Sequence, residues 1–219
     1  NARSKGIKAI LLDEGDELIE TIMVKDHDEV MFISASGKGL RVSVDDIRSM
    51  GRTARGVRAM NLIGDDQIVS AVKVEEGKNI LLLTELGKGK RTGFDSFSIH
   101  GRGTMGQRIY SLAEGDKLVG ATSVSDDDDV ILITKLGQVL RIAVSRISYQ
   151  GKNASGVIIA TFKKKNDRIN AMDVTIHEDV VEEDETIETD NSSDNSITTN
   201  ENIINEAEVV EETTGNTEE

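Results

Sequence analysis

Short apolar runs separated by glycine-containing turns recur along most of the chain. Residues 30–33 are apolar, a turn follows at Ser36-Gly37-Lys38-Gly39, and residues 40–44 alternate between apolar and polar side chains. Apolar runs of this length on either side of a turn are typical of a β-hairpin, in which glycine supplies the positive φ of the turn. Residues 79–91 and 129–144 repeat the pattern. The pattern therefore predicts a series of similar hairpins.

A second pair of apolar segments follows the first hairpin, at residues 56–62 and 67–74. A turn at Gly64, Asp65 and Asp66 separates them. Each unit is therefore expected to contain four short strands.

The units repeat at a fixed period of 50 positions, without a gap. The positions that align are Gly6, Gly56, Gly106 and Gly156; Val24, Val74, Val124 and Val174; Gly37, Gly87 and Gly137; and Arg41, Arg91 and Arg141. Repeated units of about four strands are typical of propeller blades, which stack on their neighbours to cover their faces. The predicted fold is all-β: a propeller-like array of four-stranded antiparallel blades, about three and a half of which are present.

The expected boundaries follow from this period. A half-blade occupies residues 1–24, full units occupy 25–74, 75–124 and 125–174, and a tail occupies 175–219. Closed propellers usually have at least four blades, so the chain either forms an open arc or lacks its first blades. We favour the second interpretation, and a first residue that is Asn rather than Met suggests a fragment of a longer protein.

The charge is distributed unevenly along the sequence. The net charge is −14, but all 26 Lys and Arg and only 24 of the 40 Asp and Glu precede Thr175, so positions 1–174 together carry about +2. The remaining 16 acidic residues lie in the tail, which contains no Lys or Arg. Such a segment is too charged to bury itself, and we expect it to be disordered. The repeat region can therefore have an anionic partner.

Several kinds of chemistry are excluded by composition. The chain has no Cys, and its three His share no metal-ligand spacing, so no metal site is expected. No apolar run approaches the roughly 20 residues of a membrane helix, and the first residues do not resemble a signal peptide. These features predict a soluble, cytoplasmic protein without a membrane partner.

Three related loops bracket a basic position between two glycines. They occupy residues 51–58, 101–108 and 151–156. Glycine allows a backbone to approach a phosphate closely, and Arg and Lys add the charge that binds DNA. For the glycines alone, turn geometry is the more common explanation than phosphate binding.

The basic residues recur in phase and predict a basic stripe along one rim of the array, which a duplex can follow. The candidate DNA-contacting residues are Lys38, Arg41, Arg52, Arg55, Arg58, Lys88, Lys90, Arg91, Arg102, Arg108, Arg141 and Lys152. The alternative is that they solvate exposed strands or pair with carboxylates such as Asp45, Asp46 or Asp65. The stripe weakens where Gln138 and Ile158 replace basic residues.

No other motif indicates chemistry. The run from Asp126 to Asp129 aligns with turns that enter the other hairpins, so it is interpreted as a turn and not as a cation site. The sequence Gly87-Lys88-Gly89-Lys90 lacks the spacing of a phosphate loop and is interpreted as a basic hairpin tip. No nucleophile–histidine–acid constellation can be assembled from three scattered His, so no catalytic residue is assigned.

Residues 47–62, which read Ile-Arg-Ser-Met-Gly-Arg-Thr-Ala-Arg-Gly-Val-Arg-Ala-Met-Asn-Leu, closely resemble the blade signature of the C-terminal domain of the bacterial DNA gyrase A subunit. The resemblance covers about residues 2–174 and implies a β-pinwheel whose basic rim wraps double-stranded DNA with positive handedness. The tail matches that family only in its acidic character.

The resemblance also implies the larger assembly. The partners would be the remainder of gyrase A, together with gyrase B, in an A2B2 heterotetramer that introduces negative supercoils with ATP. No cofactor is expected in this segment, because ATP and Mg²⁺ would be used by other parts of the holoenzyme. The catalytic tyrosine region of the family is absent here, and so is its Gln-Arg-Arg-Gly-Gly-Lys-Gly motif, which would belong to a blade upstream of Asn1.

Two alternatives stay open. The C-terminal domain of the C subunit of topoisomerase IV has the same architecture with fewer blades, although loop resemblance and the acidic tail favour gyrase. A propeller that serves as a protein-interaction scaffold would bind acidic partners and be indifferent to DNA length and salt. A propeller enzyme would need titratable groups at the axis of the array, and the sequence supplies none.

Overall fold

The computed structural model describes residues 6–176, which form antiparallel sheets connected by turns and loops. Within these residues the strands are β1 (Glu29–Ser34), β2 (Lys38–Ser43), β3 (Ile68–Lys73), β4 (Asn79–Thr84), β5 (Lys88–Gly93), β6 (Gln107–Arg108), β7 (Leu118–Val124), β8 (Asp128–Thr134), β9 (Val139–Ala143), β10 (Val157–Ile158) and β11 (Ile169–Ile176). Single-turn 3₁₀ helices at Val44–Asp46, Phe94–Ser96 and Val144–Arg146 follow β2, β5 and β9. The predicted all-β fold is confirmed.

The three predicted hairpins are β1–β2, β4–β5 and β8–β9. In the first, the amide of Gly37 donates to the carbonyl of Ser34 at 3.1 Å, and Gly37 has a φ of +81°. Gly87 and Gly137 repeat this φ at +82° and +81°. Residues other than glycine rarely adopt this conformation, so the recurring glycine fixes the position of each turn.

The hairpins are the centres of three sheets. The strand orders are β3-β1-β2-β6, β10-β5-β4-β7 and β11-β8-β9, and we call these sheets blades 1, 2 and 3. Blades 1 and 2 take their fourth strand from the following repeat unit: Gln107 pairs with Gly39, and Val157 pairs with Gly89. Aligning the sequence on itself at one repeat period shows which segments are equivalent but not which of them pair. The sequence therefore could not predict that a blade takes its fourth strand from the next unit, which we call strand exchange.

The segment 56–62 differs from expectation because it does not form a full strand. Its one bridge is between Met60 and Thr104. Its backbone instead bonds to a loop, with Gly103 donating to the carbonyl of Ala59 at 2.7 Å and Asn61 donating to Thr104 at 2.9 Å.

The apolar cores lie between blades. Along β4, Ile80 and Leu82 join the core shared with blade 1, whereas Leu81 and Leu83 join the core shared with blade 3. Successive strand residues point to opposite faces, and both faces of blade 2 are covered, which explains the continuous apolar run of β4. Each fully buried leucine contributes about 1.5–3 kcal/mol, so stacking is the main source of stability.

The expected acidic tail lies outside the described residues, apart from its first two positions. Thr175 and Ile176 belong to β11, which extends two residues beyond the expected boundary at 174. Across residues 6–176, no helix has the length and apolar character needed to cross a membrane.

Candidate nucleic-acid interface

Three loops, at residues 51–58, 101–108 and 151–158, lie side by side, and we call them the rim loops. Just beyond the first loop, the side chain of Asn61 donates to the carbonyl of Gly103 at 2.5 Å in the second. Just beyond the second, the hydroxyl of Ser111 donates to the carbonyl of Asn153 at 2.6 Å in the third. Hydrogen bonds between successive units therefore make the three loops one continuous edge.

Glycines let the second and third rim loops lie close to the preceding blade. A Cβ at Gly106 would lie 2.6 Å from the carbonyl oxygen of Gly39, and one at Gly156 would lie 2.8 Å from that of Gly89. Gly106 and Gly156 have φ of +67° and +70°. Both features require glycine, so the second glycine of these loops serves backbone contact between units.

The arginines of the first two rim loops are exposed. These residues are Arg52, Arg55, Arg58, Arg102 and Arg108. Arg102 reaches back to the first loop, where its Nη1 donates to the carbonyl of Arg58 at 3.2 Å, and its Nε donates to the carbonyl of Asp46 at 2.8 Å. Carbonyl partners leave the positive charge of a guanidinium uncompensated, so Arg102 keeps its attraction for anions.

Arg55 forms an ion pair with Asp13, in which Nε and the carboxylate oxygen are 2.9 Å apart. Both side chains are more than half exposed, and a pair of this kind is worth about 0–1 kcal/mol. A phosphate can therefore displace Asp13 at small cost.

Lysines continue the edge between the arginines. Lys38 lies opposite Arg108 across the β2–β6 pair, and Lys152 donates from Nζ to the side-chain oxygen of Gln107 at 3.2 Å. Lys88 occupies the equivalent place in blade 2 but lies opposite Ile158. The positive charge is thus densest from the first rim loop to the second and weaker at β10, as the sequence predicted.

Arg41 and Arg91 correct the predicted stripe, because both side chains point into the junction between blades. Nη1 of Arg41 donates to the carbonyls of Phe94 at 2.7 Å and Phe97 at 3.2 Å, and its guanidinium pairs with Glu29. Arg91 donates to the carbonyl of Ile147 at 2.7 Å. We call these two residues the clamp arginines.

The clamp arginines have little charge to offer a ligand. The Arg91 side chain is 10% exposed and pairs with Asp126. In the equivalent position, Arg141 pairs with Asp129 and its side chain is 47% exposed, since no following blade lies within the described residues. Of the predicted turn, Asp126 and Asp129 therefore supply partners for arginine, and Asp129 already belongs to β8.

Lys90 is also corrected: it does not lie at the hairpin tip but is fully buried. Its Nζ donates to the carbonyls of Gly151 and Lys152 at 2.8 Å and of Ala154 at 3.0 Å. The ammonium also lies 5.0 Å from the ring centre of Tyr110. Burial lowers the pKa of Lys90 from 10.5 to about 8. Lys90 therefore orders the third rim loop.

Sequence reasoning missed the internal pairing of Arg41 although a signal was present. The β1–β2 register sets Met31 opposite Arg41, which places Glu29 diagonally across from Arg41 on the same face. Asp129 has the same relation to Arg141. A carboxylate 12 residues before an arginine was therefore a sequence signal for the internal pairs of Arg41 and Arg141. Arg91 has Asn79 at that position and pairs instead with Asp126, so nothing local in the sequence marks it.

No metal centre is apparent in the part of the chain that the structure describes, where no three His, Asp or Glu come together. Buried Tyr110 has a hydroxyl without a hydrogen-bond partner among those residues, and burial raises its pKa. It lies within the core between blades 1 and 2, where its ring centre is 5.0 Å from Nζ of Lys90.

Comparisons with known proteins agree with this architecture. A family model described as the DNA gyrase C-terminal domain, a β-propeller, matches residues 1–25, 28–75, 78–125 and 128–176. The DNA gyrase A subunit of Klebsiella oxytoca is 56% identical over 52 residues, which are 24% of this chain and 6% of that protein. The chain therefore corresponds to a small part of its curated relatives.

Two solved structures share the fold. A DNA gyrase A C-terminal domain has a TM-score of 0.69 and 28% identity, with 77% of this chain and 57% of that one covered. The C-terminal domain of a DNA topoisomerase IV has a TM-score of 0.72 and 21% identity, with 77% and 53% covered. At that identity the second likeness concerns the fold alone. Since the family model covers most of the sequence, the chain belongs to the family of DNA gyrase A C-terminal domains, as its blade signature predicted.

Proposed function

We propose that the protein binds double-stranded DNA along the rim loops and wraps it. The observation that supports this most directly is the lateral contact of successive rim loops, which aligns exposed Arg58, Arg102 and Arg108 on one edge. A duplex that follows this edge meets a basic side chain at each step. The family supports DNA as the partner, since the named relatives are gyrase A subunits.

The proposed wrapping draws on the positive charge of the rim loops. Smooth bending of a few tens of base pairs costs about 1–6 kcal/mol, which phosphate contacts can offset because each releases condensed counterions. Such contacts need no base readout. The residues proposed to contact phosphate are Lys38, Arg52, Arg55, Arg58, Lys88, Arg102, Arg108 and Lys152. Arg41, Arg91 and Lys90 instead position the loops that carry them.

Within a gyrase, this activity would orient a DNA segment for strand passage. The remainder of gyrase A, together with gyrase B, would supply cleavage, ATP hydrolysis and Mg²⁺, and an A2B2 assembly would convert the positive wrap into negative supercoils. This domain would act by binding and bending alone.

The test is to ligate nicked circular DNA with increasing amounts of the protein and to read the linking-number distribution after deproteinisation. A progressive positive shift is expected, because a positive wrap trapped by ligation persists in the closed circle. The charge-matched substitution Arg58→Gln with Arg102→Gln should reduce the shift, whereas Lys25→Gln with Lys78→Gln, away from the rim loops, should preserve it.

Other outcomes would contradict the proposal in distinguishable ways. Salt-sensitive binding without a shift would mean that the protein binds without wrapping, which agrees better with the topoisomerase IV alternative. Absence of binding, or binding indifferent to salt and DNA length, would favour a protein-interaction scaffold.

A further inference from the structure

The turn that follows each rim loop along the chain has a negative net charge except in the last unit, where the net charge is positive. At a sequence shift of 50 positions, the segments that align are residues 13–17, 63–67, 113–117 and 163–167, with net charges of −4, −2, −1 and +2. The last begins with Lys163, Lys164 and Lys165, whereas the third has Glu114 and Asp116. We call residues 163–165 the lysine turn. The last turn is also one residue longer, because Asp167 accepts from the amide of Leu136 as Asp116 accepts from that of Leu86, although 51 positions separate the two aspartates.

The lysine turn lies between the hairpin tips of blades 2 and 3. On one side, the amides of Ile159 and Ala160 donate to the carbonyl of Gly87 at 2.9 and 3.1 Å. On the other side, the amide of Leu136 donates to the carboxylate of Asp167 at 3.1 Å. The turn therefore begins only a few residues after β10, the last strand of the basic edge.

The charge of the lysine turn is available to a ligand. Lys163, Lys164 and Lys165 are exposed, and none has an ion pair within residues 6–176. The nearby Asp167 is 3% exposed and accepts hydrogen bonds from the amides of Leu136 and Arg168. These bonds point its carboxylate into the protein. The three lysine side chains are therefore in solvent, and Lys164 is near enough to Asp167 to help lower the pKa of that carboxyl.

The same unit has less positive charge on the rim. Ile158 stands where Arg58 and Arg108 stand in earlier units, and Gln138 stands where Lys38 and Lys88 do. Ile158 is 66% exposed, so it is not there to fill a core. Compared with the earlier units, the last unit therefore has less positive charge on the rim and more in the turn a few residues further along the chain.

We propose that the lysine turn is a phosphate-binding site that takes over from the rim loops at blade 3 and leads the duplex off the rim towards the hairpin tips. The proposal rests on the proposed DNA-binding function and specifies the path of the bound DNA. Flexible lysines suit such an exit, because they bind phosphate as point charges without fixing its orientation.

The first test compares two charge-matched triple variants of the intact protein. One carries Lys163→Gln, Lys164→Gln and Lys165→Gln; the control carries Lys25→Gln, Lys78→Gln and Lys117→Gln. Binding to a duplex of a few tens of base pairs is measured by fluorescence anisotropy over a range of salt concentrations. The lysine-turn variant should bind roughly tenfold more weakly, and its log–log salt slope should fall by up to about 3, since each phosphate contact contributes about 0.9.

The control variant should lose less than about a third of its affinity for the duplex, because Lys25, Lys78 and Lys117 lie outside the rim loops and the lysine turn. Lys78 and Lys117 pair with Glu75 and Glu85 at the protein surface. Equal losses in the two variants would overturn the proposal. Failure of the unsubstituted protein to bind DNA would instead refute the proposed function. Circular dichroism melting of each variant verifies that the fold is retained.

The second test places a unique photo-cross-linker on the turn, which is possible because the chain has no cysteine. Lys164→Cys carries the label in the lysine turn, and Glu114→Cys carries it in the corresponding turn of the preceding unit. With DNA bound, the label at position 164 should cross-link to DNA, and that at position 114 should not. Cross-linking from position 164 to the protein's own chain in place of DNA would overturn the proposal.

Discussion

A buried lysine takes a position that leucine holds elsewhere in the repeat. Leu40 and Leu140 are equivalent to Lys90 at a shift of one repeat period, and Leu40 is as fully buried as Lys90. The lysine differs by donating to three backbone carbonyls of the next rim loop. Its charge therefore serves contact between units, not ligand binding.

Replacing this residue should release the third rim loop. We expect Lys90→Leu to lower the free energy of unfolding by about 1–3 kcal/mol, because the carbonyls lose a charged donor. Hydrogen exchange at residues 151–156 should also become faster. Urea unfolding and exchange mass spectrometry measure the two effects. Lys88→Leu, on the same strand, is the control and should change stability by less than about 0.5 kcal/mol.

Lys90 also predicts a pH dependence. Its pKa is lowered from 10.5 in the unfolded chain to about 8 by burial, so between these values the unfolded state retains a proton that the folded state has lost. Raising the pH through this window therefore favours the folded state. The stability of the parent relative to Lys90→Leu should rise between pH 8 and pH 10.5 in urea titrations. A constant difference would show that Lys90 titrates normally.

At the scale of elements, the exchanged strand depends on a glycine that meets the preceding blade. Gly156→Ala should cost about 3 kcal/mol or more, since its Cβ would meet the carbonyl of Gly89 and the Tyr110 hydroxyl in addition to the strain of a positive φ. Gly56→Ala has φ of +90° and open space around it, so it should cost only about 1–2 kcal/mol. Thermal unfolding of both variants tests the difference, and equal costs would contradict it.

The clamp arginines provide a second prediction at this scale. Arg91→Lys keeps the charge but cannot reach both Asp126 and the carbonyl of Ile147, so it should lose about 2–4 kcal/mol of stability. Arg141→Lys is the matched control, because this half-exposed arginine spans no junction within the described residues. It should lose less than about 1 kcal/mol. Denaturant titrations that ranked the two in the opposite order would refute the clamp.

The sequence predicts those elements that are fixed by local patterns and misses those that depend on pairing between repeat units. The hairpins were predicted because glycine at position 37 and its equivalents fixes the turn, and alternation fixes the faces. The exchange of β6 and β10 was not, because each of these strands pairs with a strand of another repeat unit, and so distant a pairing leaves no local signal. For the same reason Lys88 and Lys90 look alike in the sequence, although a loop of the next unit buries only Lys90.

At the scale of the whole molecule, rim charge in successive units predicts binding that is independent of base sequence. A triple variant with Arg58→Gln, Arg102→Gln and Arg108→Gln should weaken binding to unrelated duplexes by the same factor. It should also lower the salt slope by about 0.9 for each phosphate contact that is removed. Anisotropy titrations with two sequences of equal length measure both quantities. The triple variant at Lys25, Lys78 and Lys117 is again the charge-matched control.

A sequence-dependent loss of affinity would show that the rim arginines read bases, contrary to the prediction. An unchanged salt slope would show that they do not contact phosphate at all. Either result would leave the clamp intact, because Arg41 and Arg91 make their contacts within the protein.

The strand that each complete blade borrows from the next unit has a consequence for how such a molecule can grow. Because β6 and β10 each join the blade of the preceding unit, a tandem duplication of residues 75–124 would repeat both pairings wherever its breakpoints fall within the repeat. The duplicated segment need not begin at the edge of a blade. Arrays of different length can therefore arise in one genetic step, and each added unit extends the surface without a new junction having to evolve.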